Sequence, residues 1–496
     1  MSLFIKKSLA QLMVQASDSD SGLKRTLGAG NLMALGIGAI IGAGLFVRTA
    51  AAAGQAAGPA VTISFIVAAI GCAFAGLCYA EFASMIPIAG SAYTYAYATM
   101  GEFIAWIIGW ALVLEYALAA ATVSIGWSEY LSKLTGGGIP YEWCHSPFEV
   151  SASGVSGIMN LPALGILIIL TLVLIKGTEE SAILNTIIVF VKVAIVLLFI
   201  FIGWQFIDGA NHTPYLIPEN TPPVIDQAGK VLNDYSAWNR HGWGGVLGGA
   251  AIVFFAFIGF DAVSTAAQEA KNPKRDMPIG ILGSLAICTI LYVLFGHVLT
   301  GVAPWSDFVD PAKGSEASVA YAISTYMHGY SWLSTAVTVA ILAGFSSVIL
   351  VMLLGQSRVF YSMSNDGLVP KVFSELHPKF RTPYKSNMIL FVFVGLFAAF
   401  VPGDVAGDLT SFGTLFAFVF VCAGVWVMRV KNPDVKRSFS TPLVPLIPIL
   451  GMLICGGLIA ALDGDTLKIA FGWMAFGLVV YFGYGKAHSY LRNGKK

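Results

Sequence analysis

Charge is what this 496-residue chain has least of. Asp, Glu, Lys and Arg make up 11% of it, where an ordinary soluble domain carries about 25%. Such a chain cannot cover itself with polar surface in water, which excludes a soluble enzyme and a disordered scaffold. The formal net charge is only +1, so no cationic surface for nucleic acid is expected. Of seven histidines, His297 alone lies within an apolar run. His-Glu-x-x-His, paired Cys-x-x-Cys and the Gly-x-x-x-x-Gly-Lys phosphate loop are all missing. Metal-dependent catalysis and ATP-driven pumping therefore have no basis, and no cofactor or metal is expected. The six cysteines make no disulfide framework. Cys72, Cys78, Cys288, Cys422 and Cys455 lie in apolar runs, where a thiol acts as a small hydrophobe, and Cys144 stands alone in a polar loop. A cleavable leader is not recognisable either, because Lys6, Lys7, Lys24 and Arg25 are followed by no cleavage pattern. The first helix is expected to serve as an uncleaved insertion signal.

Apolar residues are what is abundant. Hydrophobic side chains account for 57% and glycine adds 54 residues, with a mean hydropathy of +0.77. This is the composition of a polytopic membrane protein. A bilayer core of about 30 Å needs roughly 20 apolar residues per helix. Twelve segments qualify, at about 31–53, 59–84, 98–132, 161–177, 184–207, 244–270, 279–301, 332–358, 387–402, 409–429, 443–462 and 467–487. An even number puts both termini on one side. Placing them in the cytoplasm leaves 21 of the 28 Lys and Arg in inner segments and 5 in outer loops, as the positive-inside rule requires. Leu3, Phe4, Ile5, Leu9, Leu12 and Met13 form a rough apolar stripe beside Lys6 and Lys7, which reads either as a surface-lying helix or as a disordered tail.

An internal repeat organises the spans. The first contains Ile40-Ile41-Gly42-Ala43-Gly44 and the sixth Phe255-Ala256-Phe257-Ile258-Gly259-Phe260-Asp261. Each places a small-residue break near the middle of an apolar helix, and each opens a block of five helices. Five is odd, so the blocks run in opposite senses, the pattern of an inverted-topology repeat. The expected divisions are 1–30 (N-terminal segment), 31–207 (first repeat), 208–243 (outer loop), 244–429 (second repeat), 430–487 (two more helices) and 488–496 (tail). Broken membrane helices free backbone groups that must find partners. The amides of Gly42, Ala43 and Gly44 would begin a half-helix with its positive dipole end and could hold a carboxylate. Carbonyls of Ile40, Ile41, Phe255, Ala256 and Ile258 could accept from an ammonium. A free amino acid carries both groups. The Gly38-x-x-x-Gly42 spacing alone reads as helix packing; the matching break in the sixth span favours binding.

Three charges sit inside spans: Glu115, Lys192 and Asp261. Each is costly in a bilayer unless paired or hydrated, so each is a functional candidate by default. Lys192 could load and release a proton, or act as a fixed charge, with carbonyls of the first helix and the hydroxyls of Ser346 and Ser347 as partners. Asp261 could meet the substrate amine, gate the site or hold the broken segment. Glu115 could pair with Lys192 or face the substrate route. At 86–97, Pro87 and Gly90 interrupt helicity, and Tyr93, Tyr95 and Tyr97 would face one side if extended. This reads as an inner gate or as an interfacial aromatic belt.

These segments resemble the amino acid–polyamine–organocation transporters, and among them the bacterial members of the cationic amino acid transporter branch. The resemblance runs from Leu23-Lys24-Arg25 to the twelfth span and is carried by Ile40 to Phe46, Pro87 to Tyr95, Phe255 to Asp261, Gln268 to Pro273, Met363 to Pro370 and Ser440 to Pro448. It implies an all-α five-plus-five inverted repeat with two further helices, and a substrate held between the first and sixth spans. It implies that Phe255 closes over the substrate from outside, that Lys192 takes the position of a sodium ion in proton-coupled members, and that Glu269 is an inner gate. Gln268 departs from the Glu-Glu pair common in relatives. Twelve rather than fourteen spans point to a prokaryotic inner membrane. The function so implied is import of neutral or broad-range amino acids with protons. The alternatives are exchange of cationic amino acids or polyamines, and an amino-acid sensor that barely transports. Oligomeric state, a small accessory membrane subunit and a lipid effector leave no signature in the sequence.

Overall fold

A computed structural model describes residues 3–8, 11, 25–42, 44–136, 138–151, 154–225, 231–309, 318–460 and 464–494. Among the described residues the chain is mostly helical, with one two-stranded ribbon, β1 (Val224–Ile225) and β2 (Val231–Asn233). The helices in chain order are α1 (Ala29–Ile40), α2 (Thr49–Ala52, between π-helical turns Gly44–Arg48 and Ala53–Ala57), α3 (Val61–Met85), α4 (Ser91–Thr99), α5 (Glu102–Leu134) and α6 (Leu161–Lys176). Next come α7 (Thr178–Gly203), α8 (Gly242–Phe254), α9 (Ala262–Thr265), α10 (Pro273–Val302), α11 (Ser318–Tyr326) and α12 (Ser331–Asn365). The last are α13 (Tyr384–Phe400), α14 (Gly403–Lys431), α15 (Leu446–Ala460), α16 (Gly464–Val480) and α17 (Lys486–His488). Among the described residues, eight helical segments are long and apolar enough to cross a membrane, and four shorter apolar helices (Ala29–Ile40, Leu161–Lys176, Tyr384–Phe400 and Leu446–Ala460) accompany them.

Local sequence explains the boundaries. Asn160 caps α6 by accepting from the amide of Ala163, a bond that satisfies one of the orphan donors of a helix start. Pro273 opens α10, where a missing N–H costs nothing. The chain leaves α3 at Ile86, just before Pro87. Gly90 then takes a φ of +117° and α4 begins. Tyr93, Tyr95 and Tyr97 are therefore helical, not extended. Tyr93 and Tyr97 meet one turn apart at 5.9 Å, while Tyr95 turns away and stacks on Phe82 at 5.0 Å. Helical periodicity splits the three rings between two faces.

The helices sort into two packed groups. In one, α10 lies against both α1 and α3, and α3 against α8. In the other, α12 packs on α5, and α13 on α5 and α6. α14 closes on α5 and carries α15. Leu3 and Arg492, close to the two ends of the described chain, meet on one face, where the Arg492 guanidinium donates to the Leu3 carbonyl. The last helices are fastened through Glu81 of α3, which is 1% exposed. It accepts from Arg429 (2.9 and 3.1 Å), Arg437 (3.1 Å) and the Thr441 amide (2.7 Å). On the opposite face the described residues 231–241 fold down onto the turn that follows α2. Tyr235 and Asn233 donate to the Gly54 carbonyl at 2.5 and 3.4 Å, and the Asp208 amide donates to Gly301.

Candidate functional site

Two helix interruptions meet at the centre of the first group. α1 ends at Ile40, and helical winding resumes at Gly44; Ala43 lies outside the described residues. The second interruption separates α8 from α9, with a tight turn over Phe255–Phe257 and extended backbone at Ile258. The breaks are in backbone contact. A Cβ on Gly44 would stand 2.3 Å from the Ala256 Cα, and one on Gly259, whose φ is +116°, 2.8 Å from the Ala39 Cβ. Only glycine fits either place. Tyr292 of α10 joins the breaks, its hydroxyl lying 2.8 Å from the Ile40 carbonyl and 2.9 Å from that of Ala256. The Phe255 carbonyl accepts from the Ile258 amide. Each carbonyl has a second lone pair and keeps acceptor capacity for a ligand. Val348 of α12 borders Gly42, where a Cβ would lie 2.6 Å from its Cγ2. We expect Gly44→Ala to force the breaks apart and to weaken substrate binding by about tenfold or more, equivalent to ~1.4 kcal/mol. Radioligand binding to the purified variant measures this, and unchanged affinity would mean that the breaks do not form one site.

Lys192 reaches this centre from α7. It is wholly buried, and its ammonium donates to the carbonyls of Gly38 (3.0 Å) and Ile41 (2.7 Å) and to the Ser347 hydroxyl (2.7 Å). Three acceptors match the three N–H groups of an ammonium. Ser347 in turn faces the Gly38 and Gly344 carbonyls, both at 2.8 Å. Ser346 points elsewhere, donating to Leu342 of its own helix. Two turns from Lys192, Asn185 donates to the Ala34 carbonyl at 3.0 Å and presses its amide into the space left by Gly38. One face of α7 thus holds both α1 and its broken end.

The carboxylates occupy a separate level. Asp261 and Glu115 are fully buried. Tyr116 donates to Asp261 Oδ2 at 2.8 Å. Asp261 Oδ1 and both oxygens of Glu115 have no hydrogen-bond partner among the described residues. The Lys192 ammonium bonds to backbone and Ser347, not to Glu115. Buried unmatched acceptors are rare and mark places where water, a proton or a ligand belongs.

Polar and cation–ring contacts flank the centre on both sides. On the face where Leu3 and Arg492 meet, Glu269 accepts from Arg358 of α12 (2.7 and 3.2 Å), and its backbone carbonyl accepts from the amides of Thr26 and Leu27. Tyr93 donates to Asp366 at 2.6 Å, and Asp366 also pairs with Lys7. Towards the opposite face, the half-buried Phe255 lies under the Arg48 guanidinium, 5.2 Å from its ring centre.

Sequence reasoning had named the breaks, the three charges, Phe255, Tyr93 and Glu269. It missed Tyr292, Tyr116, Asn185 and the Arg358 partner of Glu269. Of these, only the arginine at the end of an apolar run leaves a signal in the sequence, and there it reads as a marker of orientation.

Residues 27–483 match the family model described as amino acid permease. The chain is 44% identical to a branched-chain amino acid permease of Bacillus subtilis over 99% of both chains. It is 39% identical to a methylthioribose transporter of the same organism, again over 99% of both. A vacuolar cationic amino acid transporter 4 of Arabidopsis thaliana is 33% identical over 87% of this chain and 68% of its own.

Proposed function

The chain belongs to the amino acid permease family, a family of transporters and not of enzymes, and from that premise we propose that it imports neutral amino acids together with protons. The observation that carries this reading is Lys192, buried and bonded to the broken end of α1. Proton gain and loss at that ammonium changes the donors offered to Gly38, Ile41 and Ser347, and so couples protonation to the position of α1. The substrate carboxylate sits on the amides of Gly42, Ala43 and Gly44, and its ammonium on free lone pairs of Ile40, Ile41, Phe255, Ala256 and Ile258. Asp261 and Glu115 border the site, Phe255 closes it from outside, and Tyr93 and Glu269 close it from inside. Neutral side chains agree with the apolar neighbours Val348 and Phe255 and with the branched-chain relative at 44% identity.

In this reading the chain crosses the membrane twelve times as a five-plus-five inverted repeat with two added helices. The reciprocal packing of α3 on α8 and of α10 on α1 supports the repeat. Both termini are cytoplasmic in a prokaryotic cell membrane, which the meeting of Leu3 with Arg492 and the Lys and Arg distribution support. A second reading, exchange of cationic amino acids, has the unmatched oxygens of Glu115 and Asp261 in its favour.

Purified protein in sodium-free liposomes separates the two. Labelled leucine, alanine and arginine are offered under an outside-acid gradient, with methylthioribose as a further arm. Accumulation of a neutral amino acid that collapses with a protonophore is the expected result. Uptake of arginine alone, dependent on preloaded substrate and indifferent to the gradient, would overturn proton symport and make the protein an exchanger.

A further inference from the structure

Residues 486–494 run along the surface, and only Ser489 and Arg492 among them are buried. Both side chains turn inward to one carboxylate, that of Glu102, the first residue of α5, which is 0% exposed. Tyr481 donates to the same carboxylate at 2.9 Å, and Tyr97 of α4 does so at 2.8 Å. Four side-chain donors thus fill Glu102, and one of them belongs to α4.

The same segment reaches a second acidic residue. The Tyr490 amide donates to the backbone carbonyl of Asp366 at 3.0 Å. Gly367, with a φ of +78°, lets the segment come close: a Cβ there would stand 2.4 Å from the His488 carbonyl oxygen. The Asp366 carboxylate accepts from Tyr93 of α4 at 2.6 Å and pairs with Lys7, whose ammonium lies 5.0 Å from the centre of the Tyr97 ring. Tyr93 and Tyr97, one turn apart on α4, are therefore both bonded to acidic residues that the segment 486–494 touches.

From α4 the contacts lead to the second helix interruption. Ser264 of α9 donates to the Ser91 hydroxyl at 2.8 Å, and Ser362 of α12 donates to the Ala89 carbonyl just before α4. The segment itself is held by polar bonds and buries little apolar surface. A cavity of about 500 Å³ opens between it and the turn after α12, lined by Val369, Lys371, Tyr484, His488, Tyr490 and Asn493. Segments with few buried apolar contacts open most readily from a folded protein.

We propose that the segment 486–494 is a latch on α4. While it is docked, Glu102 and Asp366 keep Tyr97 and Tyr93 bonded, and α4 stays packed on α5, α12 and α9. When it lifts, water replaces Arg492 and Ser489 on Glu102, the two tyrosines lose their fixed partners, and α4 parts from α9. The frequency of lifting then sets how fast this face opens to release substrate. That last step rests on the reading of this face as the inner exit; the hold on α4 does not.

Hydrogen–deuterium exchange of the full chain in detergent tests the hold without any substrate. Arg492→Gln leaves Glu102 with the donors Tyr97, Tyr481 and Ser489, so it should melt at the wild-type temperature. Amides of 91–99 should exchange about tenfold faster in this variant, with those of α15 unchanged. Tyr97→Phe, which cuts the bond from the other side, should act alike. Wild-type exchange over 91–99 in both variants overturns the latch. Faster exchange in every helix together with a lowered melting temperature also overturns it, by making the segment an anchor of the fold. Efflux of labelled leucine from preloaded proteoliposomes tests the second part, and Arg492→Gln should raise its rate about threefold or more. Equal or slower efflux from a variant with loosened α4 removes the latch from control of opening. A wild type that moves no amino acid overturns the transport reading instead, and the exchange result alone then decides the latch.

Discussion

Lys192→Met should abolish gradient-driven accumulation of substrate. Methionine follows the lysine stem but leaves the Gly38 and Ile41 carbonyls and the Ser347 hydroxyl without their donor. Hydrogen bonds to a charged group are worth about 1.5–3 kcal/mol each. Loss of even one is a tenfold or larger change in an equilibrium constant, and here all three act on the broken end of α1. Uptake under an outside-acid gradient should fall by about tenfold or more, and what remains should no longer respond to a protonophore. Proteoliposome uptake with matched protein content measures it. A variant that still concentrates substrate against its gradient would leave Lys192 as a structural tie and move proton coupling to Asp261 or Glu115.

The second large effect is expected at Arg358. The residue is 1% exposed, and its guanidinium holds Glu269 at 2.7 Å. Arg358→Met leaves a buried carboxylate with no counter-charge, and breaking such a pair costs about 3–5 kcal/mol. Removing both charges in Glu269→Gln/Arg358→Met should recover much of that loss, because the penalty lies in the orphaned ion and not in the missing attraction. Thermal unfolding in detergent compares the three proteins. Equal melting of the single and double variants would remove the orphan-charge explanation. Transport carries a second readout. The Glu269 carbonyl receives the Thr26 and Leu27 amides, so the corner that Arg358 braces includes the segment leading into α1. The double variant should therefore be stable yet slow to hold a gradient.

What could be read from the chain beforehand follows from the kind of signal each residue leaves. The breaks after α1 and between α8 and α9 were legible because glycine at mid-span is conspicuous in an apolar run. Lys192, Glu115 and Asp261 were legible because charge inside a bilayer is rare. Their partners were not. Lys192 bonds chiefly to backbone carbonyls, which every residue possesses and no sequence distinguishes. Tyr292 and Tyr116 look like ordinary apolar filler until a carbonyl or carboxylate lies against the hydroxyl. Tyr93, Tyr95 and Tyr97 misled because an i, i+2 spacing is meaningful only in a strand, and Pro87 with Gly90 marked the start of a new helix just as well as an extended segment. Arg358 and Glu269 are 89 positions apart, and only the tertiary fold brings them together.

The clamp on Glu81 has a consequence for how the chain is made. Its arginine partners lie 348 and 356 positions later. At roughly 5–20 residues per second, the ribosome takes on the order of 20–70 s to deliver the first of them. Throughout that interval α3 must rest in the membrane with a carboxylate near its end that nothing yet neutralises. That end lies next to the loop leading to α4, where interfacial water can serve until α14 arrives. Completion of the clamp is therefore a late event in biogenesis, and a nascent chain stalled before Arg429 still carries Glu81 without either arginine.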